Sequence, residues 1–334
     1  MQKKRLLWAD ALKGVLILLV VLGHSIQNTI GDDCYTNHMW NFIYSFHMPA
    51  FMAVSGYLSF RVKDKVGGAK LYSTIWRRFK QLVIPFVLWT VFLLLYNNSF
   101  TIESIVEYIL YPDKGLWFLW VLFIINVIFV ISDLLSEKTK IKQEIVMLSI
   151  CVVLAITMVM FELRVFSFQF IAYYFMFYVV GYYLHKYYDR LKTDNRFLVL
   201  LLLVVWGGLA WFWQMKDVPS FLQVLPLPSS LTLYAYRFVT ALLATYVLII
   251  VSPKVLNDNK RLNLLLGKFG VVSLGIYTSH VIFIRSVVAL FVNVNRSNEL
   301  VIFMTFFSSS LISYVLVWML SKWRVTSCLL LGKN

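Results

Sequence analysis

Long apolar blocks alternate with short, polar and mostly basic segments along the chain, as at 14–23, 82–96, 116–131 and 197–213. A helix needs roughly 20 predominantly apolar residues to cross a bilayer, and these blocks, ten to seventeen residues long, mark the cores of such helices. The pattern predicts ten helices, at 8–30, 40–60, 82–97, 116–134, 145–161, 169–186, 197–214, 231–251, 271–291 and 299–320. The expected fold class is all-α: a polytopic integral membrane protein of about ten transmembrane helices. The longest intervening loops are 61–81, 98–115, 215–230 and 252–270, and no internal repeat is visible. A single membrane domain over residues 1–334 is therefore expected.

Composition agrees with that pattern. Of 334 residues, 60% are hydrophobic, 17% aromatic and 14% charged, with a mean hydropathy of +0.76. Soluble domains carry roughly 45–50% apolar and about 25% charged residues, so a soluble enzyme or secreted domain is excluded. The net charge of +15 is best read by position, because Lys and Arg collect in cytoplasmic loops. With the N-terminus inside, 24 basic residues fall on the cytoplasmic side and four outside: Lys114, Arg164, Lys216 and Arg296. Both termini are thus expected in the cytoplasm, and the basic excess needs no nucleic-acid partner. Lys3-Lys4-Arg5 ahead of an apolar run resembles a signal peptide, but no small-residue cleavage site follows and Lys13 interrupts the run. An uncleaved first helix is expected instead. Cys34, Cys151 and Cys328 fall outside, in mid-span and inside, so no disulfide framework is implied, and Cys34 stands as a lone outer thiol.

Ionisable groups inside a bilayer are costly, and each is a functional candidate. The first helix carries Trp8, Asp10, Lys13, Gly14, Gly23 and His24. Lys13 and His24 are about three turns apart on one face, ~16 Å at ~1.5 Å per residue. Asp10, a turn below Lys13, can pair with it. The alternative is that Lys13 snorkels to the interface and His24 only hydrogen-bonds between helices. In the second helix His47 lies at a depth His24 could share. Pro49 should bend that helix and free the carbonyl near Ser45, while Ser55-Gly56 permits close helix approach. Arg77, Arg78 and Lys80, just before Pro85, belong to a basic stretch that topology largely explains. They could equally hold an anionic cytoplasmic ligand such as a nucleotide phosphate. Ser273, Tyr277 and His280 share one helix face. Arg237 and Arg285, deep in their spans, imply an anionic partner or polar cavity in the outer half, with Glu162 the nearest carboxylate by depth. There is no Walker motif, no Gly-x-Ser-x-Gly elbow and no closely spaced His/Cys/Asp cluster. The five histidines (24, 38, 47, 185 and 280) are scattered, and no metal is expected.

Together these segments resemble the acyltransferase 3 family of integral-membrane acyltransferases, above all its sugar O-acetyltransferase and fucose O-acetyltransferase-like members. The likeness lies in Asp10-Ala11-Leu12-Lys13-Gly14 running to Leu22-Gly23-His24, in Phe46-His47-Met48-Pro49 with the stretch 51–58, in 77–85, in Leu116-Trp117-Phe118-Leu119, and in 266–280. The resemblance implies an acetyl-CoA donor entering from the cytoplasm, with His24 the essential histidine and His47 beside it. Asp10, Lys13, Arg77, Arg78, Lys80 and Ser55 would serve the donor, and Tyr277, His280, Arg237 and Arg285 the acceptor. Many members carry Arg where this chain has Lys13, which turns a bidentate contact into a point charge. The family's Arg-x-x-Arg becomes Arg78-Phe79-Lys80-Gln81, where Arg77 or Lys80 can substitute.

The implied activity is acetyl transfer from cytoplasmic acetyl-CoA to a hydroxyl of a cell-surface or lipid-linked carbohydrate, at the bacterial inner membrane and among its lipids. His24 would act as general base or as a covalent carrier. The rival reading is a polysaccharide or small-molecule exporter, since midplane ionisable groups also mark transport paths. Nothing in the sequence fixes an oligomeric state.

Overall fold

A computed structural model of the protein describes residues 6–60, 68–161, 163–191, 195–291 and 296–333. Its α-helices, in order, are α1 (Leu7–Ile30), α2 (His38–Tyr44), α3 (His47–Ser59), α4 (Gly68–Arg78), α5 (Ile84–Tyr96), α6 (Ile102–Leu110), α7 (Trp117–Thr139), α8 (Gln143–Met160), α9 (Phe168–Lys186), α10 (Arg196–Trp211), α11 (Ser229–Asp258), α12 (Lys260–Val271), α13 (Ser273–Phe291), α14 (Asn298–Leu320) and α15 (Arg324–Leu331). No strand occurs among the described residues, as expected where the bilayer offers the backbone no hydrogen-bond partners. Seven helices among the described residues are long and apolar enough to cross a membrane: Leu7–Thr36, Leu71–Tyr96, Trp117–Thr139, Val165–Lys186, Ser229–Asp258, Ser273–Phe291 and Asn298–Leu320. The chain is an all-α, multi-pass membrane protein.

Several boundaries differ from the expectation, each for a local reason. The predicted helix 40–60 is two helices, interrupted at Ser45 and Phe46. Pro49 has no N–H to give the Ser45 carbonyl, and the Ser45 hydroxyl turns back to the carbonyl of Phe42 at 2.7 Å. The stretch 61–81, expected as a loop, becomes helical from Gly68. Its Lys and Arg are good helix formers, so Arg77 and Arg78 sit in the last turn of α4. A π-helical turn, Phe79–Val83, then joins α4 to α5. The expected loop 98–115 contains α6, started by the Thr101 hydroxyl accepting the Ser104 N–H at 3.0 Å. The loop 252–270 is taken up by the end of α11 and by α12, which Asn259 caps through the Leu262 N–H at 3.0 Å. Lys3, Lys4, Arg5 and Glu162 lie outside the described residues.

The chain divides into two compact units. The first comprises Met1–Val54 and Tyr183–Val315. At its centre α1 packs against α11, α12 and α13, burying Leu16, Ile17 and Val21. The α1–α12 crossing depends on two glycines. A Cβ on Gly14 would collide with the Leu266 carbonyl, and one on Gly270 with the Asp10 carbonyl. This is the small-residue contact that lets membrane helices touch backbone to backbone. The chain beyond α1 folds into a cluster of Ile26, Cys34, Trp40 and Ile43. Cys34, expected as an outer thiol, is buried there, 1% exposed. All three cysteines are free. On α14, Thr305, Ser309 and Ser313 are fully buried at every fourth position, a small-residue stripe of the kind that packs helices closely.

The second unit comprises Ser55–Tyr182 and Leu316–Asn334. Here α7 packs on α4, α8 and the π-helical turn. Buried polar links hold it: the Tyr178 hydroxyl donates to Asn126 at 3.3 Å and the Tyr182 hydroxyl to Gln143 at 3.1 Å. Gly56 lets α3 meet the Tyr178 carbonyl of α9 directly. The last helix, α15, folds onto α5, where the Trp89 indole N–H donates to the Leu330 carbonyl at 3.0 Å.

Candidate active site

In the first unit, one helix of the α1 bundle carries a partly exposed imidazole that three other polar side chains surround. His24 follows Gly23, and a Cβ at Gly23 would come within 2.8 Å of the Tyr44 ring. The missing side chain is what lets Tyr44 lie against α1. The Tyr44 ring stands edge-on to His24 at 6.4 Å between centroids, braced from behind by stacking on Trp40 at 3.8 Å. The Tyr44 hydroxyl donates at 3.1 Å to Oε1 of Gln27, which lies one turn along α1 from His24. His280 of α13 lies 5.2 Å from His24 with the rings tilted by 50°.

The remaining predicted residues fall into distinct places. Tyr277 stands next to His280, with ring centroids 6.0 Å apart. His47 does not stack on His24; its ring meets Tyr44 at 4.8 Å, and its Nδ1–H donates to the Ile43 carbonyl at 2.7 Å, beside the break between α2 and α3. Arg285, exposed on α13, is close enough for its charge to act on His24. Arg237 instead places its guanidinium over the Trp213 ring, 5.4 Å from the centroid, a contact that shields a cation on an apolar helix. Lys13 pairs with Asp10 at 2.8 Å, their side chains 23% and 10% exposed. In the second unit, Arg78 reaches Gln81 Oε1 at 3.3 Å and Lys80 lies 6.0 Å from the centroid of the Trp76 ring. Arg77 and Ser55 are half-buried. The π-helical turn follows directly on Arg78, and such turns recur at functional sites.

Gln27 and Tyr44 were not among the candidates read from the sequence. Gln27 carried a usable signal, being one helical turn from His24 on the same face. Tyr44 carried none, since its approach depends on how α2 lies against Gly23. No group of three His, Cys, Asp or Glu able to hold a metal occurs among the described residues. An imidazole flanked by a second imidazole, an amide and a phenol is suited to moving a proton to or from a bound hydroxyl.

The model of a family described as "Acyltransferase domain" matches residues 6–322. Nodulation protein NolL of Sinorhizobium fredii (strain NBRC 101917 / NGR234) is 31% identical over 140 residues, covering 38% of this chain and 37% of that protein. Nodulation protein NolL of Mesorhizobium japonicum (strain LMG 29417 / CECT 9101 / MAFF 303099) is 34% identical over 128 residues, 34% of this chain and 32% of that protein. The chain thus spans about a third of the length of these curated relatives. No solved structure matches.

Proposed function

The chain belongs to the acyltransferase 3 family, and from that premise we propose that this membrane acyltransferase moves an acetyl group from cytoplasmic acetyl-CoA to a carbohydrate hydroxyl. The match over 6–322 takes in both compact units, which supports one acyltransferase domain over the whole chain. The observation that carries the reading is the partly exposed His24 imidazole, set between His280 and the Gln27–Tyr44 pair. An alcohol is a poor nucleophile at neutral pH, and a positioned imidazole removes its proton as it attacks. The alcohol oxygen bonds to the thioester carbon, the carbon–sulfur bond breaks, and the proton taken by His24 passes to the departing thiolate. Tyr277, His280 and Arg285 surround the place where the sugar would bind. Lys13, oriented by Asp10, supplies a cation to the donor. Arg77, Arg78 and Lys80 are assigned to the donor's phosphates on the strength of their charge, since a guanidinium matches a phosphate in two-point contact, and Ser55 to the donor as a hydroxyl hydrogen-bond partner.

The 24-to-4 division of basic residues supports ten crossings with both termini in the cytoplasm of a bacterial inner membrane, with a cell-surface or lipid-linked sugar as acceptor. The test is thiol release by the detergent-purified full chain from acetyl-CoA in the presence of octyl hexosides, with mass spectrometry of the products. Acetylated hexoside from wild type and none from His24→Ala, with acetyl-CoA binding retained, is the expected result. Full transfer by His24→Ala would overturn the assignment of the base.

A further inference from the structure

His280 is 1% exposed, buried in α13. Its Nδ1 lies 3.0 Å from the Ile276 carbonyl oxygen. A carbonyl only accepts, so Nδ1 carries the ring proton and Nε2 keeps the lone pair. That Nε2 is buried and has no hydrogen-bond partner, a costly condition that usually marks a missing ligand or a functional role. Its ring neighbours are Tyr277, 6.0 Å away, and His24, 5.2 Å away.

The polarity of the surrounding hydrogen bonds fixes what Nε2 can receive. The Tyr44 hydroxyl already donates to Gln27 Oε1, and the neutral His24 ring carries one N–H donor and one lone pair. That N–H needs an acceptor. An acceptor waits next to it, at His280 Nε2.

We propose that His280 is a positioning residue: its Nε2 accepts the N–H of His24 and holds His24 in the tautomer whose other nitrogen is a base. Separations in unliganded sites commonly tighten when substrates bind, and a small ring rotation closes this one. The acceptor hydroxyl then donates to the lone pair on the other nitrogen of His24. Its proton moves to His24, the new ester C–O bond forms as the C–S bond breaks, and the proton leaves on the thiol of coenzyme A. His280 keeps its Nδ1 proton throughout. In the opposite tautomer His24 would turn an N–H toward the hydroxyl and could not accept its proton.

This inference rests on His24 being the base, and two readouts separate the two ideas. The first needs no substrate: ¹⁵N-histidine-labelled full-length protein in lipid bilayers, with the His24 tautomer read by solid-state NMR. Wild type is expected to show a single His24 tautomer, His280→Leu a mixture, and His280→Gln, whose amide oxygen can stand near the Nε2 position, a single tautomer again. A single unchanged tautomer in His280→Leu overturns the proposal. The second readout is acetyl transfer from acetyl-CoA to octyl hexosides. His280→Leu should lower kcat by roughly 10²-fold, the usual scale of general-base catalysis, with KM for acetyl-CoA unchanged and partial recovery in His280→Gln. A mixed tautomer with undiminished kcat would sink the catalytic role of His280, while an active His24→Ala would sink the base assignment instead.

Discussion

Lys13 and Arg78 are cations in helices, and their surroundings give them different consequences when removed. Lys13 is held by Asp10 at 2.8 Å in the first turns of α1, where an acidic group also suits the helix N-terminus. Lys13→Met removes the cation yet keeps much of the packing of the stem. It is expected to weaken acetyl-CoA binding about tenfold, equivalent to ~1.4 kcal/mol, measured by isothermal titration in detergent. Lys13→Arg should bind at least as well as wild type, because a guanidinium can contact a phosphate through two N–H groups. Arg78 has a single described side-chain hydrogen bond, to Gln81 at 3.3 Å. Arg78→Ala should weaken acetyl-CoA binding with little change in the detergent melting temperature, and an affinity equal to wild type would contradict the donor assignment.

Glycines show how the helices are assembled. Gly270 and Gly14 bring two backbones together, and the atoms a new Cβ would strike are carbonyls that cannot swing aside. Gly270→Leu should therefore separate α1 from α12, with an overpacking cost of about 1–3 kcal/mol or more and loss of transfer, because Lys13 and His24 ride on the same helix. A Cβ at Gly267, three residues earlier on α12, would meet nothing within 4 Å. Gly267→Ala is then expected to be neutral or to stabilise by roughly 0.5–1 kcal/mol, since glycine inside a helix has an entropic disadvantage. Thermal unfolding of the two variants side by side checks both statements. If Gly267→Ala proved the more damaging, the α1–α12 contact would not be the element that holds this part of the fold.

At the scale of the whole molecule, the distribution of basic residues predicts sidedness. Single cysteines placed at Lys114 and Lys138, in a background lacking the native three, should label differently with a membrane-impermeant maleimide on intact cells. Lys114→Cys is expected to react from outside, and Lys138→Cys only after the membrane is breached. The reverse pattern would invert the topology. In the native protein Cys34 should react slowly even in detergent, because burial in the Ile26–Trp40–Ile43 cluster screens it.

Length, composition and the spacing of apolar blocks determined the class of this protein, because the bilayer demands long runs of intrasegment hydrogen bonding that are visible residue by residue. The same local logic singled out Asp10 and Lys13 as a pair and His24 as an expensive polar group. What surrounds His24 was not legible there. His280 and Tyr44 reach it through the rotation of α13 and the seating of α2 on Gly23, and such contacts depend on helix packing, which hydropathy does not encode. Charge density hid the helical character of Arg77 and Arg78, and Pro49 marked the break in 40–60 without locating it at Ser45 and Phe46. The chain alone shows which groups are costly in a membrane; only the packed helices decide which of them meet.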